Sequence, residues 1–225
     1  MPRREGSEWP EDSAADEAVI AANVAVLLTA LLDVAATRAN PTVSLAHDWH
    51  RAIYAGVSSL PASNYLGALR GSPDPDLADY EVELVNPVTG HPIAQGVSAS
   101  RVAAALGALE TALRTAVATL DAVIPAGRPP ANSDQLLAVV QLTALMHGEW
   151  VRIHPYPNGN GRTARIWANW VAMRYGLPPF VRIKPRPDGL LYGLAAQRSM
   201  GLPPDFRGDH TLTVSVFLDL LRQQP

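Results

Sequence analysis

Apolar residues recur along most of the chain at the three-to-four-residue spacing of helices, and the interruptions mark the turns. Residues 14–38, "AADEAVIAANVAVLLTALLDVAATR", predict a first helix with Asp12 or Ser13 as its N-cap. It is apolar almost all the way round, which predicts burial inside a bundle. Asn40-Pro41 breaks it, and Ser44 is placed to cap a second helix, "LAHDWHRAIYAG", ended by Gly56. Residues 58–79, rich in Ser, Pro, Asp and Gly, predict an irregular loop. From Tyr80 to Val85 polar and apolar residues alternate. With Asn86-Pro-Val-Thr-Gly90 and His91-Pro-Ile behind them, they predict a short hairpin. A lone hairpin builds no core, so it must lie on the bundle.

A long Ala/Leu/Val helix is predicted over 100–124. Another runs from a Ser133-Asp134 cap to His154-Pro155, where proline disfavours a helical residue before it. The next, over 161–176, is closed by Gly176 and Pro178-Pro179, and 192–200 and 211–223 predict two more. The expected fold is all-α: a single helical domain over 14–225 with one hairpin at about 80–95, preceded by a disordered acidic tail over 1–13.

Composition narrows the function classes. With 48% hydrophobic and 17% charged residues the chain reads as globular, and its net charge of -3 argues against non-specific nucleic-acid binding. The absence of cysteine removes disulfides, thiolate nucleophiles and Cys-based zinc sites together. The first residues are polar and acidic, unlike a signal peptide, and the apolar stretches are broken by Asp, Arg and Pro before reaching membrane-spanning length. These features predict a soluble cytoplasmic protein with neither nucleic acid nor membrane as partner.

The chemistry concentrates in residues 154–165, His-Pro-Tyr-Pro-Asn-Gly-Asn-Gly-Arg-Thr-Ala-Arg. Gly159, Asn160 and Gly161 stand just ahead of a helix, so free backbone N–H groups and the positive end of the helix dipole converge on one spot. Arg162 and Arg165 add forked donors suited to phosphate oxygens. Two cations in the first helical turn oppose the dipole, which an anionic ligand would relieve. His154, immediately before this cradle, is placed as a general base for an incoming hydroxyl. These residues predict phosphoryl or nucleotidyl transfer at a phosphate site that is neither a P-loop nor a dinucleotide fingerprint. Elsewhere, His147 reads as a core residue or a support of the site. His47, His50 and Trp49 read as packing, and Trp150, Trp167 and Trp170 as core anchors.

This segment resembles the signature of the Fic (filamentation induced by cAMP) domain family: His-Pro-Phe, any residue, Asp or Glu, then Gly-Asn-Gly-Arg, two residues, Arg. The likeness extends to "TALMHGEWVRIHPY" before the motif and "RTARIWANWVAMRYGLPPF" after it. It also takes in "WHRAIYAG", the segment from Tyr65 to Arg70, and the hairpin, where the family places its flap. The resemblance implies a protein adenylyltransferase that moves AMP from ATP to a Tyr, Ser or Thr hydroxyl and releases pyrophosphate. Catalysis would fall to His154, Asn160 and Arg162. Nucleotide binding would fall to Asn158, Gly159, Asn160, Gly161, Arg162 and Arg165, to the flap residues Val88, Thr89, Gly90 and His91, and to Tyr192 near the adenine. The target protein would add a strand at the flap.

Two positions depart from the pattern. Tyr156 replaces Phe, a mild change whose hydroxyl needs a partner. Asn158 replaces the carboxylate that helps hold magnesium or manganese, so weaker metal binding, or binding mainly through phosphates, is expected. A degenerate fold that binds nucleotide without turnover, or an enzyme transferring a different phosphate-bearing group, is the alternative. Ser13-Ala-Ala-Asp-Glu17-Ala18 partly matches the family's Ser/Thr-x-x-x-Glu-Gly/Asn inhibitory motif. Because Glu17 begins a core helix, the match reads as coincidence, and a small antitoxin acting in trans is the inhibitory partner expected.

Overall fold

A computed structural model describes residues 14–60 and 65–224. In chain order come α1 (Ala14–Ala36), α2 (Leu45–Ile53), β1 (Glu83–Val85), β2 (Pro92–Gln95), α3 (Val102–Val123), α4 (Ser133–Ile153), α5 (Asn160–Arg174), α6 (Leu190–Met200) and α7 (Thr211–Arg222). The fold is mainly α with one antiparallel hairpin, as the periodicity predicts. The predicted tail and the Asp12 or Ser13 cap lie outside the described residues.

The centre of the bundle is α5, although it is among the more polar helices. Every residue of it except Gly161 is buried, including Arg162, Arg165, Asn169 and Arg174. It packs against α4, α1 and α2, and four tryptophans lock the contact. Trp167 meets Trp49 with ring centroids 4.6 Å apart, Trp170 at 5.6 Å and Trp150 at 5.9 Å, within the range of favourable aromatic pairs.

The apolar helices expected at the core lie at its edge. In α1 only one stripe, Ile20, Val24, Leu31 and Ala35, enters the core, while Val26 is 72% exposed. In α3 the stripe Val102, Leu106, Leu109, Leu113, Val117 and Leu120 is buried; the remaining positions are mostly Ala and Thr, which form helix or accept exposure without needing burial. The expectation of all-round burial is therefore corrected. So is the length argument: Asp16–Ala36 and Ala99–Val123 are, by length and composition alone, apolar enough to cross a membrane. In the bundle each instead supplies one packing stripe. A smaller correction concerns α4, whose cap is Asn132 rather than Ser133-Asp134: the Asn132 side chain accepts the N–H of Gln135 at 2.9 Å.

The hairpin pairs Glu83 with Gln95, Leu84 with Ala94 and Val85 with Pro92, with an irregularity after Leu84. Its base is fixed to the end of α4, because Val97 N–H donates to the Arg152 carbonyl at 2.9 Å. Its tip is open to solvent, and Val88 is 90% exposed.

Candidate active site

Local sequence explains how the motif loop is held. Helix α4 ends at Ile153 because His154 adopts a left-handed conformation (φ 51°) before Pro155. Helix α5 begins after Gly159, also left-handed (φ 80°). A Cβ on Gly159 would lie 2.7 Å from the Tyr54 ring and 2.8 Å from His50 Nε2, so glycine is required twice over, for its backbone angle and for its lack of a side chain. The first intrahelical bond of α5 runs from Thr163 N–H to the Gly159 carbonyl at 3.0 Å. The N–H groups of Asn160, Gly161 and Arg162 thus have no acceptor within the helix.

One face of α2 forms the floor under this loop. His47, His50 and Tyr54, at positions i, i+3 and i+7, all turn toward it. His47 Nδ1 and the Tyr156 hydroxyl lie 2.8 Å apart, which supplies the partner that the Tyr-for-Phe exchange needs. Gly67 N–H donates to His50 Nδ1 at 3.1 Å. The ring proton therefore sits on Nε2, which donates to the Asn158 carbonyl at 3.0 Å. The Arg162 guanidinium donates to the Tyr54 hydroxyl at 2.8 Å. These histidines do pack, as expected, but they also set the loop's shape.

His154 is half-buried, and burial, with Arg70 nearby, lowers its pKa to about 4, so it is neutral at ordinary pH. Its Nδ1–H donates to the Val151 carbonyl at 3.2 Å, which leaves Nε2 with a lone pair. That is the tautomer a general base needs. Arg70, fully buried, holds the backbone beneath it. The guanidinium donates to the carbonyls of His154 (2.5 Å), Tyr80 (2.6 Å), Val97 (2.7 Å) and Ile153 (2.9 Å).

Beside the start of α5 lies a cavity of about 550 Å³, lined by Gly161, Arg162 and Arg165, by Ile183, Lys184, Pro185 and Arg186, and by Glu17. Arg165 is directed into place by neutral acceptors. Its Nε donates to the Ile183 carbonyl at 2.9 Å, and one terminal nitrogen lies 3.4 Å from the Tyr192 hydroxyl. Tyr192 in turn stands 2.9 Å from Nε2 of the buried His147, so His147 supports the site through two intermediaries.

Several expected site residues are placed otherwise. The Asn160 amide is consumed inside the loop: it accepts Tyr156 N–H at 2.9 Å and donates to the Tyr156 carbonyl at 2.7 Å. It acts here as a staple of the loop rather than as a side-chain donor to a ligand. Asn158 Oδ1 accepts the N–H of Gly159 at 2.7 Å, so it is turned back on its own turn. Tyr192 is buried and engages Arg165 instead of lining the cavity. Val88, Thr89, Gly90 and His91 sit at the exposed hairpin tip and do not line the cavity either.

Two charged cavity residues escaped the sequence reading, and a third was set aside by it. Glu17, whose partial match to the inhibitory motif reads as coincidence in the sequence, lies in the first turn of α1 as expected but also lines the cavity with Arg162 and Arg165, 3.8 Å from Lys184 Nζ. Lys184 and Arg186 went unread, although three cations in five residues, with Arg182, signal a basic segment. The donors available for a metal ion are poor. Among the described residues no group of three or more His, Asp, Glu or Cys side chains could hold one.

The helical bundle thus sets a neutral histidine directly ahead of a cationic helix N-terminus. The chain belongs to the Fic/DOC family, which it matches over residues 42–172. It is 44% identical over 55 residues to a protein adenylyltransferase Fic of Nematostella vectensis, covering 24% of this chain and 13% of that protein. It is 39% identical over 49 residues to a uridine 5'-monophosphate transferase of Xanthomonas campestris pv. campestris, covering 22% and 9%. The matched stretches are thus a small fraction of those relatives' lengths. A Fic-domain-containing signaling protein from Bacteroides thetaiotaomicron shares the fold, with a TM-score of 0.58 at 22% identity over 88% of this chain and 66% of that one.

Proposed function

We propose that this chain is a protein nucleotidyltransferase that moves AMP from ATP to a hydroxyl of a target protein. The observation that carries the reading is His154, neutral and with Nε2 unprotonated, directly ahead of a helix start whose cavity gathers Arg162 and Arg165. Nε2 takes the proton from the target hydroxyl, whose oxygen attacks the α-phosphorus as the bond to pyrophosphate breaks. The backbone N–H groups at the start of α5 and the two arginines hold the phosphates and receive the charge that develops on the leaving group. The target lies along the hairpin as an added strand, supported by a two-stranded sheet whose β1 keeps Leu84 and Val85 exposed.

The family resemblance supplies a magnesium or manganese ion with the donor, where it would offset phosphate charge. The side chains here do not fit a resident ion, since Asn158 stands at the carboxylate position with its oxygen already engaged. The alternative of transferring a different nucleotidyl group is favoured by the likeness to the uridine 5'-monophosphate transferase.

Intact mass after incubation with ATP, or with UTP, tests both, with wild type beside His154→Ala. An AMP mass on self or target, absent from His154→Ala, is expected. A UMP mass would select the alternative. Nucleotide binding without any mass change, in lysate as well as alone, would leave the chain a non-catalytic binder.

A further inference from the structure

At the base of the hairpin lies a second cavity, of about 490 Å³, which shares no lining residue with the first. Its rim is the segment from Gln95 to Ser98. On α3, Ala104 and Ala108 leave room for it, and Met200 and Phe206 close it. The rim is fixed to the backbone of the general base. Val97 N–H donates to the Arg152 carbonyl at 2.9 Å, and the Val97 carbonyl accepts from Arg70, the side chain that also holds His154. Gly96 sits against the base itself: a Cβ there would lie 3.5 Å from His154 Cβ and 3.2 Å from the Arg152 carbonyl oxygen. A side chain seated in this cavity is therefore close to the hydroxyl that His154 would deprotonate.

Two arginines line the cavity, and they differ in freedom. Arg152 is locked: its Nε and Nη2 donate to Glu149 at 2.8 and 2.7 Å. Glu149 also pairs with His210 at 2.8 Å, and His210 rests on the buried Ser199 at 3.1 Å. Two glycines make room for this stack. A Cβ on Gly148 would collide with the His210 ring, and one on Gly208 would lie 2.5 Å from Arg152 Cδ. Nη1 of Arg152 has no partner among the described residues. Arg101, exposed just before α3, makes neither a side-chain hydrogen bond nor an ion pair with any described residue. None of the described residues lining the cavity is acidic, and Glu149 behind Arg152 is already shared with His210. Met200 and Phe206 suit the methylenes of a short acidic side chain, while arginine forks match its carboxylate.

We propose that this cavity seats an acidic side chain of the target protein, near the modified hydroxyl in sequence, with Arg101 as the discriminating ligand and Arg152 as its fixed companion. The proposal rests on the reading of His154 as the base for a target hydroxyl. Arg152 arrives with its charge largely engaged by Glu149, so telling a carboxylate from its amide falls to Arg101. The chain carries a net charge of -3 and offers acidic peptides no general attraction, so a preference for acid has to come from a local site.

Fluorescence anisotropy tests it, with two pools of labelled, C-terminally amidated peptides alike except for Glu or Gln beside a central Ser, Thr or Tyr. The Glu pool should bind wild type about fivefold more tightly than the Gln pool. Arg101→Gln should erase that difference and leave binding of the Gln pool unchanged, and Arg101→Glu should turn the preference toward a Lys pool. Ala108→Leu, which fills the cavity without touching a charge, should weaken binding of the Glu pool. Arg128→Gln, at an exposed arginine between α3 and α4, should change nothing. Melting curves of the four variants separate lost binding from lost fold. Equal binding of the two pools, no measurable binding of either at about 1 mM peptide, or a preference that survives Arg101→Gln overturns the proposal. The same peptides, incubated with ATP or UTP and weighed, separate it from the transferase reading. If the Glu preference runs through Arg101 but no peptide gains nucleotide mass, the subsite stands and that reading fails. If peptides are modified without regard to Glu or Gln, the reading stands and the subsite fails.

Discussion

The guanidinium of Arg70 donates to the carbonyl of His154 at 2.5 Å, so the backbone of the general base hangs on a side chain fully shielded from solvent. The same side chain reaches the end of α4 at Ile153 and both ends of the hairpin segment, at Tyr80 and Val97. It also returns a backbone bond, from Arg70 N–H to the Pro155 carbonyl at 2.8 Å. The position of His154 relative to the hairpin is thus set by one residue, near the hairpin in sequence but 84 positions from His154.

Arg70→Met should test this coupling. It leaves four carbonyls without their donor, and an orphaned buried acceptor costs about 1–3 kcal/mol. A loss of at least about 3 kcal/mol in urea unfolding is expected, with Arg70→Lys recovering only part because an ammonium cannot span four acceptors. An unchanged urea midpoint for Arg70→Met would refute the assignment.

Gly159→Ala should be as damaging for a different reason. The left-handed backbone at φ 80° strains any Cβ, and this Cβ would lie under 3 Å from both Tyr54 and His50. Overpacking of this kind costs about 1–3 kcal/mol, on top of roughly 1 kcal/mol of backbone strain. Relief by moving Tyr54 or His50 would disturb Arg162 and the Asn158 carbonyl, so ATP binding by calorimetry should fall with the melting temperature. An alanine variant that is destabilised yet binds normally would detach the loop's shape from its ligand.

The motif loop was legible because its chemistry is contiguous: glycines, arginines and the histidine lie within twelve residues, and local rules for helix ends place them. Helix boundaries followed the periodicity closely. What misled was the hydrophobic content of α1 and α3, since alanine-rich helices look buried by composition while their small side chains tolerate exposure. The centre instead fell to α5, whose arginines are buried because backbone carbonyls, tyrosine hydroxyls and, for Arg174, the Asp121 carboxylate satisfy them. Glu17, Lys184 and the His50 tautomer depend on contacts across more than a hundred residues, as with His50 and Asn158, and no local pattern encodes such a distance.

Three histidines make stability depend on pH. Burial is the largest cause in each: the pKa falls to about 4 for His50 and His154 and to about 3 for His147. Each is neutral in the fold and has an ordinary value near 6.5 when unfolded. As pH falls below about 6.5 the unfolded chain takes up protons that the fold refuses. The stabilisation is fully present above that pH and is lost progressively toward pH 4. Urea unfolding at pH 7, 6 and 5 should show steadily declining stability, and His147→Gln, which cannot titrate, should reduce the slope. A flat profile in wild type would contradict the burial of all three.

The last expectation concerns Glu17. Among the described residues that line the cavity its carboxylate is the one acidic group, beside four cations, and it lies 3.8 Å from Lys184. An incoming phosphate must compete with it for that ammonium and also meets its repulsion. Glu17→Gln keeps the shape and the helical turn but removes both effects, so anion binding should strengthen. The side chain is 63% exposed, and solvent screens such a charge, so the gain should be about two- to fivefold in tripolyphosphate affinity. It should also shrink in high salt. If the same variant raises self-modification in the mass assay beyond its gain in affinity, the carboxylate restrains the productive pose of the donor as well as its binding. If affinity falls instead, Glu17 is part of what holds the donor, through Lys184, and the cavity's charge balance must be read the other way.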